Sequence, residues 1–519
     1  MRDYRESFGR ISGDMRARIF VSSALVGILS GFIIVAYRAS IAYLEHTRYS
    51  FMGRITASAS GFLLWAFLAV IAGLATAAMT RASPLIRGSG IPQVKAYLMR
   101  RIPFNWMREL PLKFAGGSLA LGAGLSLGRE GPSIQLGSLV GVAVSDLAVG
   151  KRYKRYLVTA GAAAGISAAF NAPLAGVLFC VEELHRNISP LMLTSSLIAS
   201  FCANAVMWMC SGNAPVFSIG LANVLPLRAY FSDVLIIGIA AGLAGTLFNY
   251  ALILFQKKYK RIVPNDFARL ASAFLLGALV CVLIPKITGG GNELINAQEI
   301  SGYSLIVLLA LLAAKFAFTL VSYASGAPGG IFLPMLSLGA LLGAVCMKFF
   351  PLLGFTPEYL NNYLLLGMVA FFTAVVRAPI TGAVLITEMA GSLSHFPAFI
   401  FVSVIATIVA SMLHTKPIYD SLLGNFASDE IPTEDTAPEV IHIPVLEGSI
   451  LASMPEWQEL LPDACVPVSI ERGEDEIFPG QDRPLHPGDV LKVIAEAKRA
   501  KGLRPILENL GEPAREPHA

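Results

Sequence analysis

The sequence has 519 residues, of which 55% are hydrophobic and only 14% are charged. Soluble domains carry about 25% charged residues, so this composition excludes a conventional soluble protein and argues against nucleic-acid binding or soluble enzyme chemistry. The net charge of +5 is unevenly divided: residues 1–428 hold 32 Lys or Arg against 16 Asp or Glu, and residues 429–519 hold 8 against 19. A basic membrane domain followed by an acidic water-soluble domain is therefore predicted.

The first 18 residues are charged throughout and lack a small-residue cleavage site, which predicts a cytoplasmic N-terminal segment over 1–18 and no signal peptide. Long uncharged stretches follow, and about 20 apolar residues suffice to span a bilayer. These stretches are residues 19–37, 55–80, 157–181, 188–227, 234–256, 316–347 and 389–415. We therefore predict an all-α, multi-pass membrane domain over residues 19–427.

Two apolar segments, residues 117–132 and 322–334, are interrupted by glycine and proline and would make poor continuous helices. Such backbone is tolerated at membrane depth only where protein buries it or where it lines a hydrated cavity. A pair of interrupted segments in corresponding positions is typical of a transporter binding site built from helix ends.

The two interrupted segments also resemble each other. Residues 132–141 match residues 334–343 at an offset of 202, and a second match follows at an offset of 206. In the second match Gly161, Ala172, Pro173, Gly176 and Glu182 correspond to Gly367, Ala378, Pro379, Gly382 and Glu388. Two ordered matches at nearly one offset predict an internal structural repeat, although sequence does not give the relative orientation of its halves.

Three glycine-rich loops lead into helices: GSGIP at 88–92, GREGP at 128–132 and GIFLP at 330–334. A glycine loop before a helix presents free backbone N–H groups and the positive end of the helix dipole, which attract an anion. Each proline stands where it can open a helix. The three loops predict an anion held by several helix N-termini, whereas any one of them alone would be an ordinary helix start.

In this order and spacing, GSGIP, GREGP and GGIFLP resemble the signature motifs of the CLC family of chloride channels and chloride/proton exchangers. The likeness extends over residues 161–184, 377–389 and 416–419, and so over nearly all of residues 15–425. The resemblance implies a CLC-type inverted-repeat bundle of tilted and broken helices. It also implies a homodimer in membrane lipid, in which each subunit has its own anion pathway.

By this resemblance, the hydroxyls of Ser89 and Tyr419 and the backbone amides of Ile331 and Phe332 bind a central chloride ion. The alternatives are a helix N-cap for Ser89 and an interfacial aromatic ring for Tyr419. An outer chloride site is expected at the amides around Gly128, Arg129 and Gly131. Serine at position 89 matches the family members that select chloride.

Glu130 is the most informative residue, because a carboxylate inside a membrane protein is costly and marks function by default. When ionised it can take the place of the anion at the helix N-termini, and when protonated it loses that attraction and swings away. Glu130 is therefore expected to be both gate and external proton acceptor. The alternative is a salt bridge to Arg129.

Glu182 and Glu183 end an uncharged run, where an acidic pair is most often simply solvated. In the resemblance, Glu183 matches the internal proton-transfer glutamate that distinguishes exchangers from passive channels, and Glu182 lies beside its water path. The sequence therefore favours a chloride/proton antiporter over a passive chloride channel. Glu388, the repeat equivalent of Glu182, is expected to be structural. No motif for a membrane-embedded enzyme is present, so no enzymatic activity is predicted.

Residues 428–440 are polar, with two prolines, and predict a linker. Residues 441–519 resemble the TrkA C-terminal domain, a small α+β module that would bind an unidentified ligand or dimerise in the cytoplasm. Asp482, His486 and Asp489 could suggest a metal site, but solvated turn residues are the preferred interpretation. No metal or other cofactor is predicted, and the absence of a targeting segment suggests a bacterial inner membrane with both termini cytoplasmic.

Overall fold

We analysed a computed structural model, which describes residues 13–55, 59–149, 153–185, 189–212, 225–295, 297–351, 355–430, 438–454, 457–462, 465–473, 475–479 and 484–512. The chain divides into two compact units, Met1–Leu423 and Gly424–Ala519. Most of the predicted N-terminal segment 1–18 lies outside the described residues. The predicted linker 428–440 overlaps structured elements at both ends, because a helix continues to Glu430 and a strand begins at Pro438.

The membrane domain consists of helices alone among the described residues. They are α1 (Gly13–Ile55), α2 (Ala59–Ala82), α3 (Ile91–Leu98), α4 (Trp106–Gly122), α5 (Glu130–Val144), α6 (Lys154–Phe170), α7 (Pro173–Phe179), α8 (Pro190–Ser211), α9 (Leu235–Ile262), α10 (Asp266–Leu283), α11 (Ala297–Ser301), α12 (Leu305–Ala324), α13 (Phe332–Phe349), α14 (Leu360–Val376), α15 (Pro379–Ala390), α16 (Phe396–Met412) and α17 (Ile418–Glu430). Short helical turns precede α9 at Leu227–Ala229 and Tyr230–Val234, and further turns lie at Pro84–Ile86, Ser145–Val149, Cys180–His185, Pro285–Ile287, Asn292–Ile295 and Pro357–Tyr359.

Eight helices within the described ranges are long and apolar enough to cross a membrane. This confirms a multi-pass membrane protein. Several other helices are too short to span, among them α3 with 8 residues and α7 with 7, so the prediction of incomplete helices is also confirmed. Proline lies in the first turn of α3, α7 and α15, where its missing N–H leaves no hydrogen bond unmade.

Two helix pairs pack through glycines that the repeat predicted to be equivalent. A Cβ built on Gly137 of α5 would lie 2.0 Å from the carbonyl oxygen of Gly161 in α6. A Cβ on Gly339 of α13 would lie 2.3 Å from the carbonyl oxygen of Gly367 in α14. Because both contacts are closer than any side chain permits, the backbones themselves touch, and the internal repeat is confirmed.

The repeat is also reciprocal. The Glu182 carboxylate accepts hydrogen bonds from the backbone N–H groups of Ile380 (3.2 Å) and Thr381 (2.8 Å), at the start of α15. The Glu388 carboxylate accepts from the equivalent N–H groups of Leu174 (3.0 Å) and Ala175 (2.8 Å), at the start of α7. Glu182 thus caps the N-terminus of α15, which contains Glu388, and Glu388 caps the N-terminus of α7, which precedes Glu182. A negative charge is favoured at both of these helix N-termini. The structural role expected for Glu388 is confirmed.

Two fully buried lysines extend the repeat, and the sequence analysis did not single them out. Lys113 Nζ donates to the carbonyl oxygens of Ile86 (2.9 Å) and Gly88 (2.7 Å). Lys315, at the same offset of 202, donates to the carbonyl oxygens of Ile287 (3.0 Å) and Gly289 (2.8 Å). Burial of an ammonium group requires such partners. Lys113 therefore fixes the loop at residues 86–88 to α4, and Lys315 fixes the loop at residues 287–289 to α12.

The elements of the second unit are β1 (Pro438–Pro444), α18 (Ile450–Ser453), a helical turn (Trp457–Leu460), β2 (Cys465–Arg472), β3 (Asp475–Ile477), β4 (Val490–Glu496) and α19 (Ala497–Gly511). The four strands form an antiparallel sheet of strand order β1-β4-β2-β3. Trp457, Leu491 and Leu507 are buried in its separate core. A small α+β domain is therefore confirmed, and its likeness to the TrkA C-terminal domain stays a prediction.

Asp482, His486 and Asp489 were interpreted as solvated turn residues, and this interpretation is wrong for Asp489, which is buried. The Asp489 carboxylate accepts two hydrogen bonds from Arg472, each 2.8 Å long, and a third from the backbone N–H of His486. The His486 side chain is exposed, and Asp482 lies outside the described residues. Asp489 is therefore a turn residue that ties β2 to the start of β4.

Candidate anion site at three helix N-termini

Backbone hydrogen bonds bring the three glycine loops together. Gly128 and Gly330 each donate their N–H to the other's carbonyl oxygen, at 2.7 Å in both directions. The N–H of Gly329 donates to the carbonyl oxygen of Gly88 at 3.0 Å. The starts of α3, α5 and α13 consequently lie side by side, as the anion-site prediction requires.

Gly128 itself has a different role from the one expected. Its N–H is engaged by Gly330, so it is not available to an anion. The expectation for Gly128 is therefore corrected: it joins the loops, and Arg129 and Gly131 keep the candidate amides of the outer site.

Ser89 is buried, and its backbone and Cβ pack against Gly131. The following residue, Gly90, has a φ of +93°, and a Cβ there would lie 2.5 Å from the Gln135 side-chain oxygen, which explains why glycine is needed. The Ser89 hydroxyl accepts from the Ile91 N–H at 3.3 Å, so the N-cap alternative describes a real contact. Because the hydroxyl oxygen is the acceptor in that bond, its hydrogen can still be donated.

Tyr419 is fully buried in the first turn of α17, so its alternative as an interfacial aromatic is wrong. Its ring packs edge-on against Phe179, with ring centres 6.4 Å apart, and Phe179 also contacts Phe332 at 6.3 Å. The Tyr419 hydroxyl has no hydrogen-bonding partner among the described residues. A buried hydroxyl normally has one, so a ligand is the natural acceptor for this group.

Ile331 and Phe332 are buried where α13 begins. The Phe332 ring packs against Phe372 at 4.6 Å and Phe170 at 5.0 Å, which fixes this helix start. The first N–H groups of a helix have no acceptor within it. They can therefore serve an anion at the start of α13.

The Glu130 carboxylate is buried at the start of α5 and faces the start of α13. A Cβ on Gly128 would meet both Glu130 Oε2, at 2.3 Å, and the Leu333 backbone nitrogen, at 3.1 Å, so these groups converge on one point. No side chain among the described residues donates to either carboxylate oxygen, and the donors that approach them are the backbone N–H groups of Glu130 and Leu333 at the two helix starts. Arg129 Nε lies 3.9 Å from Oε1, which is too long for a hydrogen bond. A salt bridge to Arg129 thus accounts for one long contact of the Glu130 carboxylate and does not explain why this carboxylate is buried.

Glu183 is also buried, so the alternative of a solvated acid is wrong. Lys95 Nζ donates to its carboxylate at 2.9 Å and to the carboxylate of Asp420 at 2.6 Å. The Glu182 carboxylate, in contrast, accepts hydrogen bonds from the start of α15, which it caps. Tyr419 is close enough to both Glu130 and Glu183 for electrostatic interaction, so its hydroxyl belongs to the same polar region as the two acids.

Sequence reasoning missed three residues of this site: Lys95, Asp420 and Tyr323. The Tyr323 hydroxyl lies within hydrogen-bonding reach of Ser89 and is close enough to Tyr419 for electrostatic interaction. Lys95 and Asp420 stand in the predicted membrane domain directly beyond two motifs, and that position was the available signal. Among the residues that the structure describes, no group of His, Cys, Asp and Glu is placed to hold a metal.

Comparison with known proteins agrees with this geometry. The family described as voltage gated chloride channel matches residues 68–411. Over 435 residues the chain is 35% identical to the H(+)/Cl(-) exchange transporter ClcA of Vibrio cholerae serotype O1, covering 80% of this chain and 92% of that protein. This chain belongs to the CLC family.

Solved structures place it in the CLC fold. A slow cyanobacterial Cl-/H+ antiporter is 30% identical with a TM-score of 0.74, covering 80% of this CLC chain and 99% of that one. A CLC-type fluoride/proton antiporter, 22% identical with a TM-score of 0.67, covers 79% and 99% and supports the fold alone. The predicted CLC-type bundle is thereby confirmed.

Proposed function

We propose that this CLC protein is a chloride/proton antiporter. One observation carries the proposal: two buried carboxylates, Glu130 and Glu183, are both close enough to interact electrostatically with the buried Tyr419 hydroxyl, which has no hydrogen-bonding partner among the described residues. Coupled exchange needs a titratable group toward each face of the membrane and an anion site between them. The exchanger names of the relatives support the same function.

In this proposal chloride binds between Ser89 and Tyr419, which donate hydroxyl hydrogen bonds, and the backbone N–H groups of Ile331 and Phe332. These donors carry no full positive charge, so they hold a halide without trapping it. The amides of Arg129 and Gly131 would form an outer site. We expect chloride as the principal anion, with bromide and nitrate also permeant.

Glu130 would act as gate and external proton acceptor. Its ionised carboxylate competes with chloride for the starts of α5 and α13, because both are anions at the positive ends of helix dipoles. Protonation removes the negative charge and with it that attraction. Movement of chloride would then require a proton on Glu130, which couples the two ions.

Glu183 would transfer protons on the internal side, with Glu182 as an accessory whose capping role also keeps this segment in place. A passive chloride channel is the second candidate, since the same anion site serves it equally well. The buried Glu183 favours the antiporter, because a channel does not need a titratable group there. We further propose a homodimer in a bacterial inner membrane, with both termini cytoplasmic and a regulatory TrkA-like tail.

Liposomes reconstituted with the purified protein test this function. With a chloride gradient and no initial pH gradient, we expect chloride efflux to drive protons uphill, and Glu183→Gln to abolish proton movement while chloride still flows. Asp146→Asn is the matched control, because Asp146 is an exposed acid paired with Lys154 at 2.8 Å. Chloride flux without proton movement in the wild type would establish the channel instead.

A further inference from the structure

The cluster around Lys95 is not explained by an inner glutamate acting alone. Two carboxylates share one ammonium group: Lys95 Nζ is 2.9 Å from Glu183 Oε1 and 2.6 Å from Asp420 Oδ1. The side chains of Lys95 and Glu183 are 3% and 2% exposed, whereas that of Asp420 is 26% exposed. The cluster therefore has a buried end at Glu183 and a solvent-accessible end at Asp420.

We propose that Asp420 and Lys95 form a proton relay that supplies Glu183 from the aqueous side. This inference rests on the antiport function proposed above and deepens it, because it names the entry residue of the proton path. Both contacts of Lys95 are already at hydrogen-bonding distance, so a proton can pass with no movement beyond rotation of the Lys95 amino group about its Cε–Nζ bond.

The transfer balances in three steps. Water delivers a proton to the Asp420 carboxylate. The Lys95 ammonium then gives one of its protons to the Glu183 carboxylate, so that an N–H bond breaks and an O–H bond forms. The neutral amine takes the proton held by Asp420, which restores the ammonium group and the ionised Asp420.

Charge favours this arrangement. Two carboxylates and one ammonium carry a net charge of −1, and the added proton makes the cluster neutral. A neutral cluster has a lower desolvation cost in a low-dielectric site than a charged cluster, so addition of a proton to this cluster is favoured.

Position links the relay to the anion site. Lys95 lies on α3, the helix that begins beside Ser89, and Asp420 directly follows Tyr419 on α17. The two elements that present the chloride-binding hydroxyls therefore also present the relay. A shift of either element on chloride binding would change the Lys95 contacts, which offers a route for coupling.

Three variants test the relay in the same liposome assay. Asp420→Asn cannot carry the proton as an acid, and Lys95→Arg keeps a cation with several donors but does not release a proton at accessible pH. We expect both to retain chloride flux while the ratio of proton to chloride flux falls to less than roughly a tenth, as for loss of a positioned acid–base group. Asp420→Glu should restore most of that ratio.

The ratio separates a relay from a structural role, since misfolding lowers both fluxes together. The control Asp146→Asn should behave as wild type. A wild-type ratio in Asp420→Asn would overturn the relay, and a wild-type ratio in Lys95→Arg alone would overturn the lysine step. If the wild type moves no protons, or if Glu183→Gln stays coupled, the antiport function itself fails, which is a distinct result.

Discussion

Replacement of Glu130 by glutamine should strengthen chloride binding while abolishing proton transport. Glutamine has nearly the same shape but no charge, so chloride no longer competes with an anion for the starts of α5 and α13. A negative charge at a helix N-terminus gains about 0.3–1 kcal/mol, and up to about 2 kcal/mol when partly buried. With two helices facing the carboxylate, we take about 1–3 kcal/mol for the competition, and chloride affinity should rise about 5- to 150-fold.

Isothermal titration of the detergent-solubilised protein with chloride measures this change. The wild type should bind chloride more tightly as the pH is lowered from about 8 toward the range in which carboxylates protonate, and Glu130→Gln should bind equally at every pH. Proton movement in liposomes should be absent from the variant. Chloride binding that is unchanged or weaker in Glu130→Gln would refute the competing-anion mechanism, as would proton transport that persists without the carboxylate.

Further predictions concern stability. Gly137→Ala should destabilise the membrane domain by about 1–3 kcal/mol, because its Cβ would lie 2.0 Å from a backbone oxygen, whereas Gly424→Ala, which meets nothing within 4 Å, should not lower the melting temperature. Lys113→Met should lower the melting temperature in detergent by several degrees, because two buried carbonyls lose their donor, and an unchanged melt would count against that role. In the tail, Arg472 lowers the pKa of Asp489 below its ordinary value, so this ion pair stabilises the domain above about pH 4 and is lost as the pH falls through the lowered pKa. Asp489→Asn should abolish that acid sensitivity in hydrogen exchange of β2 and β4, and an unaltered pH profile would contradict the assignment.

Sequence reasoning reached the fold and most of the site because motif and repeat carry backbone information. Gly90 has a positive φ, and Gly137 and Gly339 make equivalent backbone contacts in the two halves of the repeat. Both requirements are met by glycine, so they can be recognised from the positions of glycine in a single sequence. Glu130 was singled out as a candidate because an acid among glycines at membrane depth has few structural explanations.

The contacts between distant segments were beyond reach of the same reasoning. Lys95 meets Asp420 across 325 positions of sequence, and nothing in either local pattern indicates the other. Gly128 was misassigned for a related reason: a free N–H in a glycine loop is available to an anion only if no other loop accepts from it.

The repeat explains how one symmetric scaffold makes an asymmetric site. Gly128 and Gly330 are equivalent at the offset of 202 and exchange identical hydrogen bonds, so a local twofold axis passes between them. At the same offset, Glu130 is equivalent to Phe332. Two equivalent helix starts thus face one another, and one presents a carboxylate where the other presents an aromatic ring. The helix starts that would attract the anion are equivalent in the two halves. The two loops differ at positions 129, 130 and 131, and among these differences only Glu130 would provide a carboxylate that competes with the anion. A carboxylate at both positions would place two negative charges at the same helix starts, where each would oppose ionisation of the other and exclude chloride.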